Sequence, residues 1–280
     1  MNNKNKMLIY TLPFLFFLLL FLFVPLISMI ISSIKNAGGA FTLENYAEIF
    51  GNFFYIQSFI NSIGISLLSS LVGAAAGAFV SHAMHSMSSS ASQKILVCTN
   101  LTANFAGVPL AFSFIVLLGN SGILILLSEK LGIHLGESFN LYSWSGICLT
   151  YVYFQIPLAV MLIFPLYNAI SESWLESATL LGAHKAQFWR RVGIPTLLPG
   201  ILGTTSILFA NSMGAYVTAY TLTGSAYNLL AVRIGSLISG DIFARPELGS
   251  ALGVCLGAIL VGTVLLNQML MRRLQKDVQI

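Results

Sequence analysis

The chain has 280 residues, of which 56% are apolar and 8% charged, and it carries a formal charge of +4. A soluble domain devotes about a quarter of its residues to charge, so this composition excludes one and points to an integral membrane protein. The small basic surplus is a matter of sidedness at a membrane and not of nucleic-acid binding. Cys98, Cys148 and Cys255 lie in apolar runs without paired spacing, which reads as small core residues and not as disulfide or metal partners.

Lys4 and Lys6 precede an uncharged run over 7–34, far longer than the roughly 7–15 residues of a signal-peptide core. It is predicted as a first, uncleaved span, kinked or tilted by Pro13 and Pro25. Residues 35–57 follow as a polar connector with an amphipathic centre around Glu44 and Glu48. The second span is placed at 58–81, where Ser69, Gly73, Gly77 and Ser81 recur at every fourth residue and predict close helix packing. The serine-rich stretch 82–93 reads as a flexible loop, and its His82 and His85 belong to no metal-ligand framework.

Span three is predicted over 95–118, and the following connector, 119–143, contains an apolar piece at 123–127 that is too short to cross. Span four covers 144–167, with aromatic residues near both ends and with Pro157 and Pro165 predicting distortion. Span five is placed at 196–220. A polar connector over 220–247 carries Arg233, Asp241, Arg245 and Glu247, and its apolar segment 229–238 predicts a short re-entrant or surface helix. Span six, 248–271, has a small-residue face in Gly249, Gly253 and Gly257, and Arg272, Arg273 and Lys276 close the chain. The domain reading is therefore an amino-terminal span with an external connector (1–57), a membrane core (58–271) and a basic cytoplasmic tail (272–280).

One stretch, 171–200, is not written in the language of the membrane interior. Ser173-Trp174-Leu175-Glu176 has the form of a capping box. Trp174, Ala178 and Leu181 then share one apolar stripe of a helix too short to span anything. Gly182 suits the left-handed residue that ends such a helix, and Pro195 and Pro199 suit the entry of the next. Glu176 is on this reading a capping group, and an exposed helix with a narrow apolar stripe can also enter a partner's groove.

Glu176-Ser177-Ala178, Gly182 after three further residues, and Val192-Gly193-Ile194-Pro195 after nine more resemble the cytoplasmic coupling loop of bacterial ABC importer permeases. Ser177, Val192 and Ile194 depart mildly from that signature, and 110–122 is weakly similar to the same family. The resemblance implies an all-α integral membrane fold of the type I importer class, six transmembrane helices with a cytoplasmic coupling helix. It also implies that Glu176, Ser177, Ala178, Leu181, Gly182, Ala183, Ile194 and Pro195 couple to an ATPase. Its implied partners are a cytoplasmic ABC ATPase dimer carrying the ATP, a second permease, identical or homologous, and an external solute-binding protein. No cofactor is expected on this chain. Residues 219–224 and 249–252 are most similar to the polyamine and aminophosphonate branch, implying a solute of that kind.

With the amino terminus inside, six spans put nine of the 13 lysines and arginines in the cytoplasm, among them Lys94, Lys185, Arg190 and Arg191. That is the bias of the positive-inside rule, and it predicts that both termini are cytoplasmic; the family resemblance implies that the membrane is the bacterial inner or plasma membrane. No Asp, Glu, Lys or Arg lies centrally in a predicted span, which disfavours the rival reading of an ion-coupled carrier. No glycine is followed by lysine, so the phosphate-cradling loop is missing, and no zinc-protease or nucleophile-elbow motif suggests an enzyme. A non-transporting structural subunit is the other rival. A polar solute would have to cross on neutral groups between two subunits. The candidates are Asn211, Ser212, Tyr216 and Gln155, whose alternative role is interhelical hydrogen bonding worth roughly 0.6–2 kcal/mol each.

Overall fold

The structure, a computed structural model, describes residues 3–132, 135–240 and 244–278. Asp241 lies outside them, and of the carboxy-terminal tail only the helical backbone through 278 is described. In chain order the helices are α1 (Asn3–Leu18), α2 (Val24–Ser33), α3 (Glu44–Gly51), α4 (Phe53–His85), α5 (Ser89–Asn104), α6 (Val108–Leu118), α7 (Ile123–Lys130) and α8 (Leu135–Ser138). They continue with α9 (Trp144–Ile163), α10 (Glu172–Leu180), α11 (Lys185–Phe188), α12 (Ile194–Met213), α13 (Tyr216–Thr223), α14 (Leu230–Ser239) and α15 (Pro246–Val278). Among the described residues, six helical segments are long and apolar enough to cross a membrane: Thr11–Ser33, Phe53–His85, Val108–Lys130, Trp144–Ala169, Lys185–Met213 and Pro246–Met271.

Proline accounts for the irregular turns. The ring lacks an N–H and clashes with the carbonyl four residues back, and a locally widened or tightened turn relieves both. Leu19–Phe23 is a π-turn ahead of Pro25, Trp189–Gly193 is a π-turn ahead of Pro195, and Phe164–Ala169, which includes Pro165, is a 3-10 turn.

Two compact units are formed, Met1–Gln57 with Arg233–Ala258, and Ser58–Val232 with Ile259–Ile280. In the first, α3 is pinned to the end of α2. Buried Asn45 donates from Nδ2 to the carbonyls of Ser33 (3.0 Å) and Lys35 (2.8 Å), and the Tyr46 hydroxyl meets Ser33 Oγ at 2.9 Å. The small face of α15 is used here: a Cβ on Gly253 would stand 2.9 Å from Met29 Sδ, and one on Gly249 2.9 Å from Ile238. Arg245 clasps Glu48 through both terminal guanidinium nitrogens, at 2.6 and 2.5 Å. That contact holds the Glu48 carboxyl below its ordinary range, against the opposing effect of partial burial.

The second unit is built on α4 against α9. A Cβ on Gly73 would sit 2.7 Å from that of Gln155, and one on Gly77 would collide with Ala159, so these glycines set the approach of the two helices. Around the contact, Ile65, Leu110, Ile147, Tyr151 and Phe154 form one apolar cluster and Ala74, Ala159, Ile163, Leu197 and Leu208 another. In hydrocarbon polar groups must find partners within the protein. Accordingly Ser62 Oγ accepts from the Leu230 N–H, Asn61 donates to the Asn228 carbonyl, and Tyr151 donates to the Ala215 carbonyl.

Three boundaries differ from the sequence reading. The expected loop at 82–93 is mostly helical, because α4 runs to His85 and α5 begins at Ser89, with Ser92 Oγ bonded to the Met84 carbonyl. The expected third span, 95–118, is split at Gly107, whose φ of +75° no helix accommodates and which is followed by Val108-Pro109, and the segment long enough to cross is instead Val108–Lys130, which takes in the apolar piece at 123–127 expected to be too short. The expected fifth span stops at Met213, and Gly214-Ala215 separates it from α13.

Candidate functional site

Two features stand out in the second unit, an exposed helix between spans and a largely apolar groove with a few polar groups at two helix breaks. The exposed helix is α10. Its amino end is not the expected capping box: the helix starts at Glu172, Ser171 occupies the cap without a side-chain cap bond, and Ser173 Oγ instead meets Ser171 Oγ at 2.7 Å. The carboxy end follows the sequence reading closely. Gly182 has φ +82°, its N–H donates to the Thr179 carbonyl at 2.9 Å, and the Ala183 N–H reaches the Ala178 carbonyl at 2.9 Å. This reciprocal pair is the Schellman closure, and it turns the chain sharply into α11.

The apolar stripe is shifted from the expected one. Leu175 and Ala178 face the protein, packed on the cluster that contains Ile170 and Phe188, and Trp174 is exposed. Leu180 and Leu181 are 89% and 88% exposed at the tip, the most exposed large apolar side chains among the described residues. Beside them Leu175, Glu176, Thr179, Leu180 and Lys185 line a shallow hollow of about 530 Å³, with one acid and one base at its rim. Ser177 and Gly182 are exposed and Ala183 is half-buried. Ile194 and Pro195 are the first residues of α12, directly after the π-turn.

Rings tie this loop back to the second span. Trp189, in the π-turn, lies edge-on to His82 (4.6 Å between centroids) and near Tyr167 (5.9 Å), and His85 lies 5.2 Å from Tyr167. The sequence reading placed both histidines in a loop and missed this cluster. Its signal was their spacing of three at a helix end, which puts both rings on one face.

The groove is formed where α5 gives way to α6 and α12 to α13. Ala103, Gly107, Asn211, Gly214, Tyr216 and Thr218 are among its lining residues, and its volume is about 350 Å³. Asn211 is exposed and Tyr216 half-buried, with Tyr220 stacked on it at 5.3 Å. The other two candidates are not brought to the groove. Ser212 is buried, its Oγ 3.1 Å from Ser69 Oγ, and Gln155 is fully buried and donates from Nε2 to the Leu208 carbonyl at 2.6 Å. Both make the interhelical bonds that were the alternative for them. Among the described residues no three His, Cys, Asp or Glu side chains converge as a metal site would require.

Six apolar helical segments, a glycine-closed helix exposed between two of them, and a neutral groove at paired helix breaks define a multi-pass membrane permease. Residues 95–278 match the family described as the binding-protein-dependent transport system inner membrane component, and the chain belongs to it. It is 24% identical over 265 residues to the spermidine/putrescine transport system permease protein PotC of Haemophilus influenzae, covering 93% of this chain and 95% of that one. It is also 24% identical over 221 residues to the trehalose transport system permease protein SugB of Mycobacterium tuberculosis, covering 79% and 73%. A chain of a bacterial alginate ABC transporter, solved with an alginate pentasaccharide-bound periplasmic protein, superposes with a TM-score of 0.77 at 18% identity, covering 98% of this chain and 96% of that one. A chain of the inward-facing MetNI methionine ABC transporter superposes with a TM-score of 0.59 at 14% identity, covering 79% and 96%. The fold is that of an ABC importer permease, and the chain is a transport subunit of the inner membrane.

Proposed function

We propose that this permease couples to a separate ATPase chain through the tip of α10 and passes a small polar solute along the groove at Asn211 and Tyr216. The observation that carries the reading is the tip itself. Leu180 and Leu181 stand almost fully exposed at the carboxy end of the helix, the end that Gly182 closes, and exposed adjacent leucines outside the membrane gain most by entering a partner's groove. Glu176 and Lys185 at the rim of the neighbouring hollow supply the polar contacts that orient such a docking. On this reading ATP is bound and hydrolysed by the partner, both termini are cytoplasmic, and a second permease, identical or homologous, completes the path. An external binding protein delivers the solute.

The ring cluster gives the docked loop a mechanical route. Movement of α10 carries Trp189 with it, and Trp189 contacts His82 at the end of α4 and leads directly into α12, which bears Asn211. The polyamine and sugar permeases among the relatives make a polyamine or a small sugar the leading solutes. The test is to purify the chain from its native membrane with whatever binds it, identify the ATPase and the binding protein, and reconstitute uptake. ATP-dependent uptake that requires both partners is the expected result, and uptake persisting without the ATPase would overturn the reading.

A further inference from the structure

The first unit carries a hollow that transport does not explain. Along α2, Val24, Ile27 and Ile31 follow one another at helical spacing and form an apolar wall, and they remain 58%, 53% and 41% exposed. At its upper end the wall runs into a polar cap made by Ser32 and Lys35, where α2 ends, and by Glu247 in the first turn of α15. The open hollow so bounded has a volume of about 510 Å³. Lys35 and Glu247 are both half-buried at the mouth. Lys35 Nζ stands 5.5 Å from the Phe41 ring, and Arg245, the cation near Glu247, is already clasped by Glu48.

An apolar strip that ends in one cation and one anion at a membrane-helix terminus has the chemistry of a zwitterionic amphiphile in negative. We propose that the hollow holds one phospholipid with an amine-bearing zwitterionic headgroup, phosphatidylethanolamine in type. Its acyl chain lies along Val24, Ile27 and Ile31, its phosphate faces Lys35, and its ammonium donates to the Glu247 carboxylate. The charge order selects the headgroup. A phosphatidylglycerol matches Lys35 but carries no cation of its own to meet Glu247. A phosphatidylcholine brings the right charge but no N–H donor, and charge-assisted hydrogen bonds are the stronger contacts. The inference is independent of how the protein is driven or what it carries.

Native mass spectrometry of the full-length chain, stripped and then exchanged into equimolar phosphatidylethanolamine, phosphatidylglycerol and phosphatidylcholine, reads the proposal directly. One tightly retained phosphatidylethanolamine is expected. Glu247→Gln should abolish the preference for ethanolamine over choline, a change of about threefold to tenfold for one charge-assisted contact. Lys35→Ala should weaken retention of all three headgroups together. Ile27→Trp, which fills the acyl wall while leaving the cap intact, should remove the bound lipid. An unchanged melting temperature of each variant shows that the fold is not the cause. Equal retention of the three lipids, a preference for phosphatidylglycerol, indifference to the three substitutions, or no retained lipid at all would each overturn the proposal, the last leaving the hollow to a protein neighbour.

Discussion

Gly182 offers the sharpest test of the coupling loop, because space and backbone conformation can be separated there. A Cβ built on it meets nothing within 4 Å, so a side chain causes no clash, yet φ is +82°, the left-handed region. An L-residue held in that region costs about 1–2 kcal/mol, enough to shift the equilibrium between a closed and an opened helix end by roughly 5-fold to 30-fold. The strain falls on the Schellman bonds from Gly182 to Thr179 and from Ala183 to Ala178, and therefore on the direction in which Leu180 and Leu181 point. Gly182→Ala and Gly182→Leu should reach the membrane at near-normal levels but lose ATPase association and uptake. Gly182→Asn should keep most of both, since asparagine tolerates the left-handed region. The assay is ATPase recovery per tagged permease, followed by ATP-dependent uptake in vesicles. A Gly182→Leu protein that assembles and transports normally, or an Asn variant as impaired as Ala, would refute the argument from conformation.

Four other outcomes are expected. Gly77→Leu, whose side chain collides with Ala159 from its first atom, should destabilise the second unit by about 1–3 kcal/mol or more, read as a lowered melting temperature in detergent. In a background lacking Cys98, Cys148 and Cys255, Asn211→Cys should react with a small water-soluble thiol reagent at a rate that changes when ATP is trapped on the complex. Ser212→Cys, buried against Ser69, should stay unreactive, and the reverse order would move the path to another face. Reporter fusions after Ser88 and after Lys276 should both read cytoplasmic, and an external signal from either would break the topology. Because Arg245 lowers the Glu48 carboxyl, the pair stabilises the fold above the ordinary carboxylate range and loses that contribution as pH falls through the lowered folded-state value. Glu48→Gln should therefore cost about 0.2–1 kcal/mol near neutrality and nothing in acid, and a pH-independent difference would mean the effect is not this carboxylate.

What the sequence determined by itself is what depends on local rules. Six apolar stretches are long enough to cross a bilayer whatever surrounds them, and unpaired backbone polar groups in hydrocarbon make helix the rule within them, without deciding where each helix begins and ends. Gly182 was legible for the same reason: a glycine after a short apolar helix with a polar exit has one common use, and the structure gives it that conformation. The small-residue face at Gly73 and Gly77 announced close packing without saying against what, and α9 was the answer. Tertiary structure decided the rest. Ser212 and Asn211 are adjacent and both polar, and only the position of Ser69 on another helix makes one a buried bond and the other a groove wall. The breaks at Gly107 and at Gly214-Ala215 interrupt runs whose hydrophobicity is continuous, because hydropathy measures transfer into lipid and not the direction of the chain. The capping box at Ser173 and Glu176 has the correct spacing and does not form. The helix begins at Glu172, where Leu175 and Ala178 can pack on Ile170 and Phe188, and burial of those apolar groups outweighs one local cap.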